Sequence, residues 1–455
     1  MKKCRLFPFL LTLALSAGLM VPFASAAEAP EITAKAALLV DVTYEDEGEV
    51  LYEYNAHEKM YPASITKVMT GLLTLEAVER GELSLDQEIT AGSSVNDIPF
   101  GASTAGIKVG EVMKLGDVLR CALIPSANEA CNILAETVSG SISAFVELMN
   151  QRAAELGCEN THFANPHGLH DDDHYTTAWD IYLICREAMK NATFREIVSS
   201  KSYTVPATNL SEARTLHDTN SLISTFNRTG YYYEYATGIK TGYTPEAGRC
   251  LAASATKGDR SLICVVLGCE RTPGSTGSEG FVEFTESTDL MEWGFDNFSR
   301  QTILTTTDLQ GDLPVTLSQT EYVAVQPSGT LEATLPRDVD LSTFTYTPTW
   351  YAESVEAPVA KGQVLGTITV SDGDRVYGTL DLVAVSDVER SDLLYYLDRT
   401  EKYFSQLWVR IVLVVLLVLV AVLVLWAVFF RKRSRSRYGR GGYGGSRSNY
   451  RGRRR

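Results

Sequence analysis

The feature that most constrains this chain is a run of 20 residues without a charge, Ile411 to Phe430, close to its C-terminus. At about 1.5 Å per residue, a helix of that length crosses the ~30 Å hydrocarbon layer of a bilayer. Trp408 and Trp426 sit near its ends, as interfacial aromatics do, and Arg431-Lys432-Arg433 follows at once. The positive-inside rule then places the tail, residues 431–455, in the cytoplasm. At the other end, Lys2, Lys3 and Arg5 precede an apolar stretch from Leu6 to Phe23, and Ala24-Ser25-Ala26 offers a small-residue cleavage pattern. Residues 1–26 therefore read as a secretory signal peptide. Cys4 lies before the apolar stretch and behind Lys3, so it is not placed like a lipoprotein attachment cysteine.

The charge distribution supports this orientation. The formal net charge is −15, but the leader carries three basic residues and the tail eleven, neither with an acid, which leaves −29 on residues 27–430. So acidic a body repels nucleic acid, while a uniformly basic tail is drawn to anionic surfaces. The body is expected outside the cell membrane on a single-pass anchor. At 45% hydrophobic and 21% charged residues the composition is that of a globular protein, which excludes collagen-like, wholly disordered and polytopic membrane classes. A length of 455 residues implies two or three folded units at roughly 100–200 residues each. Seven cysteines remain beyond the leader, an odd number without a CxxC spacing. Mostly free, buried thiols are expected, with one or two disulfides as the alternative that the compartment permits.

Between the two ends three blocks can be read. Ala36–Val42 and Val50–Tyr54 form strands around a turn at Glu45–Gly48. From Pro62 to Arg80, Ile65, Val68, Met69, Leu72, Leu75 and Val78 recur at helical spacing, and Gly81 stops a helix that is apolar around much of its girth and hence central. Asp117–Ile124 and Glu129–Val138 read as helices separated by Pro125, and Ala178–Met189 as another. Strands return at Tyr235–Thr241, Cys250–Ala255 and Leu262–Leu267, the last two joined by a turn at Lys257-Gly258-Asp259. Strands at both ends with helices inserted predict one α/β (α+β) domain over residues 27–300. A β-rich domain follows over 301–387, with Gln363–Val370 and Arg375–Val383 paired around Asp372-Gly373-Asp374. Leu393, Leu397, Phe404 and Leu407 then recur near helical spacing among charges, which predicts an amphipathic juxtamembrane helix over 388–410 before the span at 411–430.

Three short motifs carry chemistry. Ser64-Ile65-Thr66-Lys67 opens the long apolar helix, and its three-residue step brings a hydroxyl and an amine to one face, one turn apart. The helix start adds free N–H groups and partial positive charge for a developing oxyanion. Desolvation by the apolar surroundings would lower the Lys67 pKa and leave an amine able to take the serine proton. Ser126-Ala127-Asn128 falls in the break between two predicted helices, where capping alone would explain it. Lys240-Thr241-Gly242 closes a strand, where a turn glycine alone would explain it. All three together, in this order on a helix start, an interhelical loop and a strand, go beyond those separate explanations.

On these motifs the chain resembles the low-molecular-weight penicillin-binding proteins, the family of serine-type D-alanyl-D-alanine carboxypeptidases. Tyr61 to Lys67, Asn165-Pro166-His167-Gly168-Leu169, Lys240 to Thr244 with Ala247-Gly248, and Ala357-Pro358-Val359-Ala360-Lys361-Gly362 resemble that family's segments. The resemblance implies the penicillin-binding, serine β-lactamase-like fold: an antiparallel sheet with a helical insert. It further implies that Ser64 attacks the bond between two D-alanines of a peptidoglycan stem peptide, with Lys67 as base and Ser126 relaying a proton to the leaving amine. Asn128 would bind the substrate backbone, Lys240 and Thr241 the terminal carboxylate, and Gly242 would let the substrate lie along the strand. The oxyanion hole would be the backbone N–H groups of Ser64 and Tyr243, and Arg271 is a looser candidate for a carboxylate contact. β-Lactam antibiotics would be covalent inhibitors, and the setting would be cell wall biogenesis.

Two further clusters carry ligand-like or partner-like residues. His167, His170 and His174 with Asp171, Asp172 and Asp173 have the ligand types of a transition-metal site. His167 belongs to the family-like segment, though, and the acids suit a helix start, so no metal and no cofactor is expected. The Arg/Gly-rich tail around Tyr438 to Tyr443 resembles RNA-binding segments, but basic juxtamembrane runs are attracted to lipid head groups without a specific partner. The alternatives to the carboxypeptidase are a serine β-lactamase and a non-catalytic penicillin-binding receptor of the same fold.

Overall fold

The structure, a computed structural model, describes residues 28–44, 48–272, 280–373 and 375–433. The expected signal peptide, the tail beyond Arg433, most of the Glu45–Gly48 turn and Asp374 lie outside the described residues. The chain divides into two compact units, residues 1–301 with 332–342, and residues 302–331 with 343–455.

In the first unit, β1 (Ala36–Asp41) and β2 (Glu49–Tyr54) begin an antiparallel sheet. Helix α1 (Lys67–Glu79) follows, then two short ribbons, β3 (Glu88–Thr90) with β4 (Val112–Lys114) and, later, β5 (Ser202–Val205) with β6 (Arg214–His217). Between the ribbons lie α2 (Leu115–Leu123), α3 (Asn128–Ser139), α4 (Ile142–Glu155), α5 (Ala178–Ala188) and α6 (Ala192–Val198). The chain returns to the sheet with β7 (Ala236–Thr244), β8 (Gly248–Lys257) and β9 (Arg260–Cys269), and α7 (Val282–Asn297) follows. The sheet order is β2-β1-β9-β8-β7, so the first strand is zipped to the last and the helices are a genuine insert.

Both faces of this sheet are covered, which is why β1, β8 and β9 are apolar runs rather than alternating ones. One face packs Leu38, Val40, Val265 and Leu267 against Ile65, Val68, Met69 and Leu72 of the helical layer. The other packs Leu39, Leu251 and Val266 against Leu290, Met291 and Phe295 of α7. Each fully buried side chain of this kind contributes about 1.5–3 kcal/mol. Helix α1 is buried along most of its length and threads the middle of the helical layer, as its all-round apolar sequence requires.

Its start differs from expectation. The predicted helix from Pro62 begins instead with a 3-10 turn, Ala63–Thr66, in which Ala63 has φ 47, and the α-helix proper opens at Lys67. The nucleophile candidate thus sits on a tight turn held against the sheet rather than inside a regular helix.

The second unit contains a six-stranded sheet in the order Thr345–Trp350, Val364–Asp372, Arg375–Ala384, Tyr322–Pro327, Asp312–Thr316, Val355–Glu356. Helix Asp392–Ser405 ends where Gln406 turns to an extended conformation with ψ 132, and Leu407–Arg433 is a second helix. The break therefore falls before Leu407, so Leu407–Arg410 lie in the apolar helix and not in the amphipathic one. Leu407–Phe430, 24 residues containing an 18-residue stretch with a mean hydropathy of 3.5, is the one helix among the described residues long and apolar enough to cross a membrane. All seven cysteines of the described residues are free, and six of them are buried.

Candidate active site

Ser64, Ser126, Asn128, Thr241, Gly242 and Tyr243 line one cavity of about 440 Å³, together with Ser103, Thr219, Arg228 and Arg249. Lys67 and Lys240 lie behind this wall, 0% and 1% exposed. The three motifs, far apart in sequence, converge because α1, the α2–α3 break and β7 meet at one end of the sheet.

The Lys67 ammonium nitrogen is the hub. Nζ lies 2.7 Å from Ser64 Oγ, 2.7 Å from Asn128 Oδ1 and 2.6 Å from the His167 carbonyl oxygen. Asn128 is oriented because its Nδ2 donates to the Ser103 carbonyl at 3.1 Å, which leaves Oδ1 for Lys67. Two of the three neighbours of Nζ can only accept. In the neutral amine both N–H groups go to them, and the lone pair faces the Ser64 hydroxyl. Burial lowers the Lys67 pKa to about 7, against smaller opposing pulls from Cys131 and the Glu129 carboxylate and with the Lys240 charge adding to the fall.

The turn carrying Ser64 is clamped from two sides. Ala164 N–H donates to His174 Nδ1 at 3.0 Å, so Nε2 carries the proton and donates to Thr66 Oγ1 at 2.8 Å, which in turn donates to the Ala63 carbonyl. Thr70 Oγ1 donates to the Pro166 carbonyl. Gly168, at φ +84, passes so close that a Cβ there would meet Ala63 O at 1.9 Å. The Asn165–Leu169 segment and His174 are thus a buttress for the turn that carries Ser64. Burial depresses the His167 pKa to about 3 and that of His174 to about 4, and both ring nitrogens of His174 are engaged, so they act as neutral hydrogen-bonding groups.

On the far side, a Cβ added to Gly242 would lie 2.9 Å from Pro62 O and 3.1 Å from Ser64 N, so only glycine lets β7 run beside the Ser64 backbone N–H. Thr241 Oγ1 pairs with Thr219 Oγ1 at 2.6 Å. Lys240 is lowered by burial, while the neighbouring Asp218 pulls in the opposite direction; Asp218 itself is raised by burial. Ser126 has φ 66, and its Oγ is buried at the cavity without a hydrogen-bond partner among the described residues. A non-glycine residue in that backbone region costs about 1–3 kcal/mol, a strain typical of functional positions.

Arg271 does not line the cavity; its guanidinium lies 4.8 Å over the Phe281 ring. Arg228 and Arg249, each 4.1 Å over the same ring, supply the positive charge at the cavity instead. Sequence reasoning missed them, together with Asp218, Thr219 and Ser103, because no short motif contains them.

Comparison with known proteins agrees with this geometry. Residues 23–271 match the family described as D-alanyl-D-alanine carboxypeptidase, and residues 298–390 match the C-terminal domain of penicillin-binding protein 5. The chain is 31% identical over 381 residues to the D-alanyl-D-alanine carboxypeptidase DacC of Escherichia coli, covering 82% of this chain and 89% of that one. It is 29% identical over 367 residues to DacF of Bacillus subtilis, covering 81% and 89%. Penicillin binding protein 5 of Haemophilus influenzae superposes with a TM-score of 0.60 at 27% identity, over 80% of this chain and 100% of that one. The fold is that of the penicillin-binding enzymes. The chain belongs to the D-alanyl-D-alanine carboxypeptidase family of serine-type hydrolases.

Proposed function

We propose that this protein removes the terminal D-alanine from peptidoglycan stem peptides through an acyl-enzyme on Ser64, from the outer face of the cell membrane. The observation that carries the reading is the Lys67 environment: a buried amine 2.7 Å from Ser64 Oγ whose other two neighbours accept its protons. Neutral Lys67 takes the hydroxyl proton as Oγ bonds to the carbonyl carbon between the two D-alanines. The developing oxyanion is met by the backbone N–H groups of Ser64 and Tyr243, beside the close approach that Gly242 permits. As the C–N bond breaks, the proton on Lys67 passes through the Ser126 hydroxyl to the departing amine. Water then attacks the ester, Lys67 takes its proton, and Ser64 Oγ leaves with that proton restored.

Lys240, Thr241 and the arginines at the cavity hold the terminal carboxylate, and Asn128 holds the substrate backbone as well as Lys67. β-Lactams acylate the same hydroxyl. Helix Leu407–Phe430 anchors the protein, with the acidic body outside and the basic tail in the cytoplasm. The test uses full-length protein in detergent, a fluorescent penicillin and a peptide ending in D-Ala-D-Ala. Wild type is expected to take up label and release D-alanine, and Ser64→Ala to do neither while remaining folded. Covalent labelling of Ser64→Ala would overturn the assignment.

A further inference from the structure

Asn128 owes its orientation to a single carbonyl. Its backbone N–H donates to Ser103 O at 3.0 Å and its side-chain Nδ2 to the same oxygen at 3.1 Å. Ser103 belongs to an irregular loop that also forms part of the cavity wall through Gly101 and Ala102. What fixes that loop is the side chain that follows Asn128 in sequence. Glu129 is 2% exposed, and its Oε1 accepts from Thr104 Oγ1 at 2.6 Å, from Ala105 N at 2.7 Å and from Ile107 N at 3.4 Å. The first two donors are the residues directly after Ser103. Glu129 is not among the residues that line the cavity, and its charge also acts on Lys67, whose pKa it raises.

We propose that Glu129 is a positioning residue for acylation: its carboxylate ties down residues 104–107, the Ser103 carbonyl thereby fixes Asn128, and Asn128 Oδ1 holds the Lys67 amine against Ser64. The path runs Glu129, Thr104 and Ala105, Ser103, Asn128, Lys67, and every link is a hydrogen bond or a peptide bond. A buried carboxylate is costly to keep unless it is hydrogen-bonded, and here Oε1 alone gathers a hydroxyl and two backbone N–H groups of one loop, while Oε2 is buried without a hydrogen-bond partner among the described residues. An apolar residue could fill the space but would leave those N–H groups without an acceptor. The proposal rests on the acyl-enzyme reading above and adds to it a residue outside the three motifs.

The test measures the rate of acylation by a fluorescent penicillin on the full-length protein in detergent. The variants are Glu129→Gln, Glu129→Asp, Asn128→Ala and the Glu129→Asp/Asn128→Ala double. Aspartate withdraws the acceptor by one methylene, beyond hydrogen-bond reach of Thr104 and Ala105, whereas glutamine keeps an oxygen at the position of Oε1. The expected result is a ~30- to 100-fold slower acylation for Glu129→Asp, since a misplacement of about 1 Å costs on that order. Glu129→Gln should remain within ~3-fold of wild type, and in the Asn128→Ala background the aspartate change should cost less than ~3-fold, because residues acting in one chain are not additive.

Equal losses in both backgrounds, or normal acylation of Glu129→Asp, would overturn the proposal while wild-type labelling at Ser64 left the underlying reading intact. Absence of wild-type labelling would instead remove that reading. If Glu129→Asp does not fold, Thr104→Val breaks the same bridge from the loop side. It should then slow acylation ~5-fold in the Asn128 protein and leave the Asn128→Ala protein unchanged, and a loss independent of Asn128 would overturn the proposal equally.

Discussion

Two lysines stand in the same site, both buried to within 1% of complete enclosure, and burial lowers both, Lys67 to about 7 and Lys240 to about 8. Around Lys67, at the start of α1, Nζ is bonded to a hydroxyl and two neutral oxygens, and burial brings its pKa to about 7. Around Lys240, on β7, burial pushes the same way but the Asp218 carboxylate counters it. On the proposed reading the more strongly lowered Lys67 serves as the base, while the Asp218 carboxylate keeps Lys240 the more readily protonated of the two. Residue type and burial are shared, so what separates the two lysines is the set of hydrogen-bond and charged neighbours around each.

The comparison is broken most severely by exchanging each lysine for a side chain that stays charged. Arginine at 67 cannot lose its proton near neutral pH, so acylation should fall by ~10³-fold or more, the scale of a lost general base. Arginine at 240 preserves the cation and should cost about tenfold at most, mainly in KM for a D-Ala-D-Ala peptide. Stopped-flow acylation and steady-state release of D-alanine measure the two, and equal losses would erase the distinction.

A second break separates the two corners physically. Gly242→Ala would force β7 away from Ser64 N, and kcat should fall by ~100-fold with the melting temperature little changed, as for loss of an oxyanion contact. Unchanged kcat would show that the Ser64 and Tyr243 N–H groups do not act as a pair.

A milder change sharpens the contrast. Asp218→Asn removes the charge that holds the Lys240 pKa up, so Lys240 loses its proton at lower pH. The KM for a carboxylate-ended peptide should rise about five- to tenfold above neutral pH and hardly at all at pH 6, a shift on the order of one pKa unit. A KM increase of the same size at both pH values would mean that Asp218 acts on shape rather than charge. Least of all should follow from Arg271→Ala, within about twofold of wild type, because Arg271 lies over Phe281 and not at the cavity. Arg249→Ala, by contrast, should raise KM several-fold.

The residues that converge on the cavity were legible where they fall in three short motifs, Ser64 to Lys67, Ser126 to Asn128 and Lys240 to Gly242, each within one turn or strand end. What surrounds them was not. Asp218, Thr219, Arg228 and Glu129 act across loops whose mutual approach is set by tertiary packing, and no local period encodes it. The long apolar helix was correctly read as central, yet its first turn is 3-10, since the clamp by His174 and Gly168 outweighs the helical spacing of Ile65 and Val68. Helix α4 went unread although Phe145, Met149 and Ala153 recur at four-residue intervals; its other positions are polar enough to blur the stripe. The histidine and aspartate loop shows the limit of composition. It offers metal-like ligands, but His174 spends both nitrogens on Thr66 and Ala164.

The central claim is that Lys67 is neutral near physiological pH, and titrating that one nitrogen tests it most directly. Full-length protein carrying labelled lysine side chains, compared with its Lys67→Arg counterpart, identifies the Lys67 signal in an NMR pH series. The account predicts that this signal titrates with a midpoint near 7 and that the acylation rate rises with pH through the same midpoint. A Lys67 signal that stays protonated up to the ~10.4 of an ordinary lysine, while acylation proceeds at neutral pH, would contradict it.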